Sequence, residues 1–237
     1  MMSFSRGGWG VLKKGAMQPR VITETALRDR RSGMDRRSDE RLRDPDRRAL
    51  VRRVAERVPE EIRRDLEGWQ KAGTSSPDLF ERLISRTGVC LAQSFAVGPE
   101  DVAILLVKDQ GRLLRFAYPV PHYAGRTNVF PVHTSSIAGE VLVSRRGRID
   151  NDVGQVRHLD IYERIRGKEK RSLEIQKMVT APLLLAGGKA FGVVQVSRRG
   201  KSSKEAGPDF PSFDLLKLRD LGRELGPIIH QEVPTDF

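Results

Sequence analysis

The chain has 237 residues, enough for one sizeable domain with extensions, and its 38% hydrophobic and 31% charged residues suit a soluble domain with a polar appendage. The formal net charge is +12, and residues 1–72 hold nineteen Lys/Arg against twelve Asp/Glu, so much of the basic excess lies early in the chain. No apolar run is long enough to span a bilayer, and a single cysteine, Cys90, excludes an internal disulfide and a four-cysteine zinc site and favours a reducing, cytoplasmic setting.

Residues 1–45 form a basic leader that we predict to be disordered, because its apolar residues are too sparse to offset the entropy lost on ordering. The motif Asp-Arg-Arg-Ser occurs at residues 29–32 and again at 35–38. Paired guanidiniums can hold a phosphate through two hydrogen bonds each, which makes a nucleic-acid-associated regulator one alternative. Aspartates are interspersed in the repeat, and no aromatic side chains alternate with its arginines for base stacking. Both features disfavour nucleic acid as a partner and favour a solvated tail.

Residues 46–73 are predicted to be a helical segment or linker in two pieces, with Pro59 in the first turn of the second piece. Its apolar residues recur at spacings of three and four and form one stripe: Val51, Val54, Val58, Ile62, Leu66 and Trp69. A stripe this narrow needs a surface to cover it. That surface is either the following domain or a second copy of the chain.

Residues 76–232 are predicted to form an α+β domain, because stretches with helical and strand periodicity alternate along them. In chain order the predicted elements are a helix from Ser76 to about Phe95, strands Val102 to Lys108, Arg112 to Tyr118 and Val129 to His133, a short helix Ile137 to Arg145, a strand-like tail at 149–152, a polar segment 153–176, two strands, and a helix from Ser212 to about His230.

The two late strands read as a central hairpin. Val179 to Leu185 and Ala190 to Ser197 are nearly continuous apolar runs, which indicates burial on both faces. Gly187 and Gly188 between them can adopt the positive φ of a tight turn. Pro182 has no N–H to donate, so we expect a gap or bulge on one side of its strand.

The last helix carries an apolar seam at spacings of three, four and three, which is typical of coiled-coil contacts. We therefore expect a homodimer through the terminal helices, with the seam residues Leu218, Leu221, Leu225 and Ile228 at the interface.

Three segments in this order resemble the GAF domain family of small sensory modules. Residues 136–147, running into Ile149-Asp150-Asn151-Asp152, look like the short helix of the family with its glycine and following Asn-Asp pair. Residues 179–185 look like its apolar-Pro-Leu strand, and residues 191–196 like the next Gly-Val strand. The resemblance covers about residues 76–232 and suggests a stand-alone GAF-like domain with a basic leader.

The resemblance implies an antiparallel sheet sandwiched by helices, with a ligand pocket between the sheet and the short helix. The function it implies is a non-enzymatic, bacterial-type signalling protein that senses a small molecule and acts through dimer or partner contacts. One alternative is a degenerate GAF domain that serves only as a dimerisation or scaffold module. The identity of the ligand, of any cofactor and of the partner protein does not follow from the sequence.

The candidate ligand-binding residues come from the strands and loops around that implied pocket. Asn151 and Asp152 are the strongest polar candidates, with an Asx turn as the competing explanation. The others are Phe116, Tyr118, His133, Ser136, Tyr162, Thr180 and Gln195, each of which could instead pack in the core or satisfy local backbone.

Catalytic and metal chemistry find little support in the residue pattern. No two of the four histidines have a metal-ligand spacing, and no nucleophile elbow, phosphate-binding loop or dinucleotide fingerprint is present. The Asn-Lys…Phe…Asp-Glu pattern of cyclic-nucleotide-binding members is not traceable. A bilin needs a later cysteine than Cys90, and one cysteine cannot act as both nucleophile and resolving thiol in a methionine sulfoxide reductase. We therefore expect no enzyme activity, no metal site and an inert, buried Cys90.

Overall fold

The computed structural model describes residues 45–119, 129–132, 136–155, 173–235 and 237. Its helices and strands, numbered in chain order, are α1 Pro45–Lys71, α2 Ser76–Phe95, β1 Val102–Lys108, β2 Leu113–Tyr118, β3 Val129–Pro131, α3 Ile137–Ser144, β4 Arg148–Asp150, β5 Ile175–Leu184, β6 Ala190–Arg199 and α4 Ser212–Glu232. A bilayer-spanning helix needs about 20 mostly apolar residues, and none of the helices in these ranges provides one.

The predicted hairpin is confirmed as the middle of the sheet. β5 and β6 pair antiparallel over their length, with Val179 opposite Val196 and Ala181 opposite Val194. The turn glycines have φ values of 84° and 77°, a region that residues with a Cβ rarely occupy. Pro182 lies where the neighbouring strand β4 no longer pairs, because that pairing ends at Thr180. The expected gap beside the proline is therefore present.

Within the described residues, six strands form one antiparallel sheet in the order β3-β2-β1-β6-β5-β4. Helices cover both faces, as the α+β prediction requires. α2 and α4 lie on one face over a large apolar cluster that includes Ile104, Val179 and Val194. α3 lies on the other face over a smaller cluster. We call this second surface the α3 face.

Helix α1 is one continuous helix, so the prediction of two pieces is wrong. Pro59 lies inside it and is buried. A proline removes one helical hydrogen bond, but Val58, Ile62 and Leu66 lie on one face of α1 and are buried in the domain core. This burial on both sides of the proline holds the helix together. The apolar stripe of α1 is thus covered by the domain itself, at α2 and α4.

The leucine seam of the last helix is also covered by its own chain. Leu218, Leu221, Leu225 and Ile228 are all buried in the cluster between α4 and the sheet. The expectation that these four side chains form a dimer interface is therefore wrong, because a second copy cannot reach them without unpacking the core. Spacing identified an apolar helix face correctly but did not identify what covers it.

Candidate functional site

Phe116 and Tyr118 lie on opposite faces of the sheet, although strict alternation places them on the same face. The register of β1 and β2 shifts by one residue, since Ile104 is opposite Tyr118 while Leu105 is opposite Phe116. Because of this bulge, the last residues of β2 point to the opposite faces of the sheet from those that strict alternation predicts. Phe116 is buried on the α3 face in the same apolar cluster as Ile137.

Tyr118 belongs to the other core, which corrects the expectation that it lines a pocket with Phe116. It is buried in the cluster under α2 and α4. A Cβ built on Gly88 of α2 would fall 2.4 Å from the ring of Tyr118, so that glycine makes room for the ring. Burial in this apolar setting raises the pKa of the Tyr118 hydroxyl.

Thr180 and Gln195, two of the candidate ligand-binding residues, are brought together on the α3 face. They are directly opposite each other in the hairpin, and both are buried. The Gln195 Nε2 donates to Thr180 Oγ1 at 3.3 Å and lies 3.1 Å from the sulfur of Met178. Two polar side chains are thus buried among the apolar residues of this sheet face.

Ser136 has a structural task that accounts for its position. Its Oγ accepts a hydrogen bond from the backbone N–H of Gly139 at 2.9 Å and so caps the start of α3. The cap fixes the helix directly over the α3 face. Any contact between Ser136 and a ligand would be additional to this role.

An arginine between two carboxylates connects α3 to β4, and the sequence analysis missed it. The guanidinium of Arg148 lies 2.6 Å from Asp150 Oδ1 through Nη2 and 2.5 Å from Glu140 Oε2 through Nη1. Burial alone would lower the pKa of Arg148, but the hydrogen bond and charge of Asp150, with the contribution of Glu140, raise it overall. Arg148 therefore stays protonated.

Asp150 has one carboxylate oxygen with no hydrogen-bond partner among the described residues. Its side chain is only 7% exposed. Oδ1 accepts from Arg148 Nε at 2.7 Å, whereas Oδ2 is buried and has no hydrogen-bond partner among the residues that the structure describes. Buried carboxylate oxygens are normally hydrogen-bonded, because leaving one unpaired costs about 1–3 kcal/mol or more.

The two strongest sequence candidates, Asn151 and Asp152, differ in environment. The Asn151 amide donates to the carbonyl of Phe210 at 3.1 Å and accepts from the N–H of the same residue at 2.8 Å. Its side chain therefore clamps the segment just before α4. Asp152 is exposed at the end of β4.

The remaining predictions concern residues elsewhere. His133 and Tyr162 lie outside the described residues. Cys90 is buried in α2, as predicted, and burial raises the pKa of its thiol despite the opposing effect of Arg86. Across the described ranges, no three His, Cys, Asp or Glu side chains are grouped so as to hold a metal ion.

A concave surface lies between α1 and α4, on the far side of the sheet from α3. The two helices run parallel, since Arg47 lies 5.5 Å from the Phe213 ring and Arg63 lies 3.9 Å from Glu224. The groove between them has a volume of about 670 Å³. One end is lined by Arg47, Arg48 and Arg52, and the other by Glu56, Glu60, Arg63, Asp220, Arg223 and Glu224. We call it the α1–α4 groove.

Neither family models nor curated proteins match the sequence of this chain. Solved structures do match its fold. The GAF domain of an Acinetobacter phosphoenolpyruvate-protein phosphotransferase aligns with a TM-score of 0.52 and 14% identity over 77% of this chain and 94% of its own. The nlh2 GAF domain of A. aeolicus in an inactive state gives 0.50 and 17% over 76% and 98%.

A free methionine-R-sulfoxide reductase from Neisseria meningitidis, in complex with its substrate, gives a TM-score of 0.51 and 17% identity over 78% of this chain and 90% of the reductase. At such identities the likeness establishes the fold alone. The described domain is GAF-like, as the sequence motifs indicated, and the same fold occurs in the GAF domains of two other proteins and in a reductase.

Proposed function

We propose that this chain is a signalling protein whose GAF-like domain binds a small molecule between α3 and the sheet. The observation that carries the proposal is the polar group buried on the α3 face. Thr180 and Gln195 pair in the hairpin, and Arg148 and Asp150 lie on the neighbouring strand. Polar side chains beneath a helix on an apolar sheet face provide the orienting contacts that small-molecule sites require.

A direct path from this site to the terminal helices supports a sensory role. Asn151 follows Asp150 in the chain and holds the backbone of Phe210, two residues before α4 begins. The buried Lys177 of β5 donates to the carbonyl of Gly207 at 2.7 Å in the same connecting loop. A ligand that moves β4 would therefore move the start of α4.

A thermal-shift screen against nucleotides, amino acids and cofactors tests the binding proposal. A ligand at a hundred times its Kd stabilises the folded state by about 2.7 kcal/mol, which corresponds to roughly 5–10 °C for a domain of this size. We expect Gln195→Leu to abolish the shift. The control Gln176→Leu, at a half-buried glutamine that bonds Gly200 instead, should retain it.

If no compound stabilises the wild-type chain, the sensing proposal fails. The scaffold alternative, in which the domain only mediates contacts, would then be favoured.

Cys90 supports a non-enzymatic role for this chain. The Neisseria protein of similar fold is a methionine sulfoxide reductase, but the one cysteine here is buried in α2. Burial raises its pKa, which disfavours the thiolate that nucleophilic chemistry needs. A single cysteine without a disulfide partner is also consistent with the proposed cytoplasmic, reducing setting.

We further propose that a second copy of the chain occupies the α1–α4 groove. The basic end of the groove carries three arginines, whereas its other end carries four carboxylates against two arginines. Two copies related by a two-fold axis and docked antiparallel would place unlike ends together. Leu50, which is 57% exposed on α1, adds an apolar contact residue nearby.

Charge reversal with rescue tests this interface. Arg48→Glu with Arg52→Glu should weaken the dimer at least tenfold in sedimentation equilibrium, because like charges would then meet. Adding Glu56→Arg and Glu60→Arg to the same chain should restore it. A wild-type chain that is monomeric at all concentrations, or a dimer indifferent to both reversals, would rule out this surface.

A further inference from the structure

We propose that the site on the α3 face recognises a cationic nitrogen, an ammonium or amidinium group, and that Asp150 is the residue that receives it. This inference rests on the small-molecule site proposed above and adds the chemical class of the ligand. Three observations carry it: an oxygen of Asp150 has no partner among the described residues, the charges around it sum to a negative value, and it lies on the α3 face of the sheet.

The geometry places the Asp150 carboxylate on the ligand side of the sheet. Ile149 packs against the core under α2 and α4, so its neighbours Arg148 and Asp150 point to the opposite, α3 face. Arg148 indeed reaches Glu140 on α3 at 2.5 Å. Asp150 is directly opposite Met178 in β5, and the side chain of Met178 contacts Gln195.

The second oxygen of Asp150 is buried at the site and is available to a ligand. The side chain is 7% exposed, Oδ1 takes the hydrogen bond from Arg148, and Oδ2 is buried with no partner in the described part of the chain. A carboxylate oxygen held in this way binds best to a donor that also carries charge, since charge-assisted hydrogen bonds are about twice as strong as neutral ones.

The local charge favours a cation over a neutral donor. Arg148 contributes one positive charge, whereas Asp150 and Glu140 contribute two negative charges, so the group has a net charge of −1. The chain as a whole carries +12, which would repel a cation. That long-range repulsion is screened beyond about 8 Å at physiological salt, whereas the contact with a buried carboxylate is screened much less. The contact with the Asp150 carboxylate therefore outweighs the long-range repulsion, and the site should favour a cation.

Matched pairs of probes test the proposal on the full chain by calorimetric titration. The panel contains primary amines, amino acids and amidines, each with its neutral isostere, such as benzamidine with benzamide and benzylamine with benzyl alcohol. We expect cationic members that bind to do so about tenfold more tightly than their isosteres, the ratio given by about 1.4 kcal/mol. Asp150→Asn should reduce this preference to about twofold or less.

A matched control separates lost recognition from lost stability. Asp101→Asn removes a carboxylate that pairs with Arg199 at 2.9 Å. Asp101 directly precedes β1, which is separated from β4 by the strands β6 and β5, so the substitution should leave the cation preference unchanged. A further measurement uses the wild-type chain. The carbon-13 resonance of the Asp150 carboxyl should shift on addition of a bound amine and stay in place with its isostere, whether or not the Asn variant folds.

The outcomes distinguish this inference from the proposed function. If neutral probes bind as tightly as cationic ones, or if the preference survives in Asp150→Asn, the inference is wrong while the ligand site stands. If no probe of either class binds, the ligand site itself is wrong and the inference falls with it.

Discussion

Helix α4 approaches the hairpin closely at Gly226. Replacing glycine with alanine should therefore destabilise the protein at Gly226 and stabilise it at Gly68. A Cβ built on Gly226 of α4 would fall 2.1 Å from the carbonyl oxygen of Leu184 in β5. Ordinary contact begins at about 3.4 Å, so Gly226→Ala must push the helix outward by roughly 1 Å. The atom that is hit belongs to the backbone, so no change of rotamer relieves the clash.

The magnitude follows from two opposing effects. Alanine in place of glycine favours a helix by about 1 kcal/mol. Overpacking of this kind costs about 1–3 kcal/mol, and the upper part of the range applies here because Leu225 and Ile229 beside the glycine are buried and would be lifted from the core. We expect Gly226→Ala to lower the free energy of unfolding by about 2 kcal/mol, or roughly 4–8 °C in Tm.

Gly68 provides the control. It is an exposed interior residue of α1 with no atom within 4 Å of a built Cβ, so Gly68→Ala gains the helix preference without a clash. It should stabilise the protein by about 1 kcal/mol, which places the two variants about 3 kcal/mol apart in urea denaturation. A Gly226→Ala variant as stable as Gly68→Ala would refute the packing of α4 on the hairpin.

Three further predictions concern single side chains in the core and in the loops of the domain. Because burial raises the pKa of the Cys90 thiol, the unfolded chain ionises first as pH rises, so stability should fall above the ordinary thiol pKa, and Cys90→Ala should reduce that alkaline loss in urea titrations at pH 7 and 9.5. Asn151→Ala removes both bonds to Phe210 and should cost about 1–3 kcal/mol, while Asn151→Asp, which keeps only the acceptor, should lie between it and wild type. Lys177→Met should change stability by about 1 kcal/mol or less, because the 68%-exposed Asp209 can return to water, yet hydrogen exchange should quicken in the loop before α4. A slowed or unchanged exchange rate would contradict that anchoring role.

The hairpin and the helices of the domain were predictable because the signals for them are local, whereas the placement of helices on both faces of the sheet was implied by the family resemblance. Two continuous apolar runs around Gly187 and Gly188 indicate a buried hairpin without knowledge of any distant contact. The pairing of Gln195 with Thr180 could have been predicted in the same way, since a tight turn fixes which residues are opposite.

The failures of prediction depend on contacts between distant parts of the chain. Tyr118 lies on the face opposite to the predicted one because β2 has a one-residue bulge against β1. Alternation along β2 alone cannot reveal such a bulge. The clamp between Asn151 and Phe210 joins residues 59 positions apart. Arg148 and Asp150 could have been found, because residues two apart on a strand share a face and an Arg-x-Asp pair there predicts an ion pair.

The most direct test of a ligand site on the α3 face uses the methyl group of Met178. The other four methionines lie within the first 34 residues, so Met178 is the single methionine of the predicted domain. It is buried beside Gln195 on the α3 face. A chain labelled with carbon-13 at the methionine methyls, with Met178→Leu for assignment, therefore reports on that face through one resonance. A compound that stabilises the protein should shift the Met178 resonance, and Gln195→Leu should abolish both effects. A stabilising compound that leaves Met178 unmoved would show that the ligand binds elsewhere and would contradict the account.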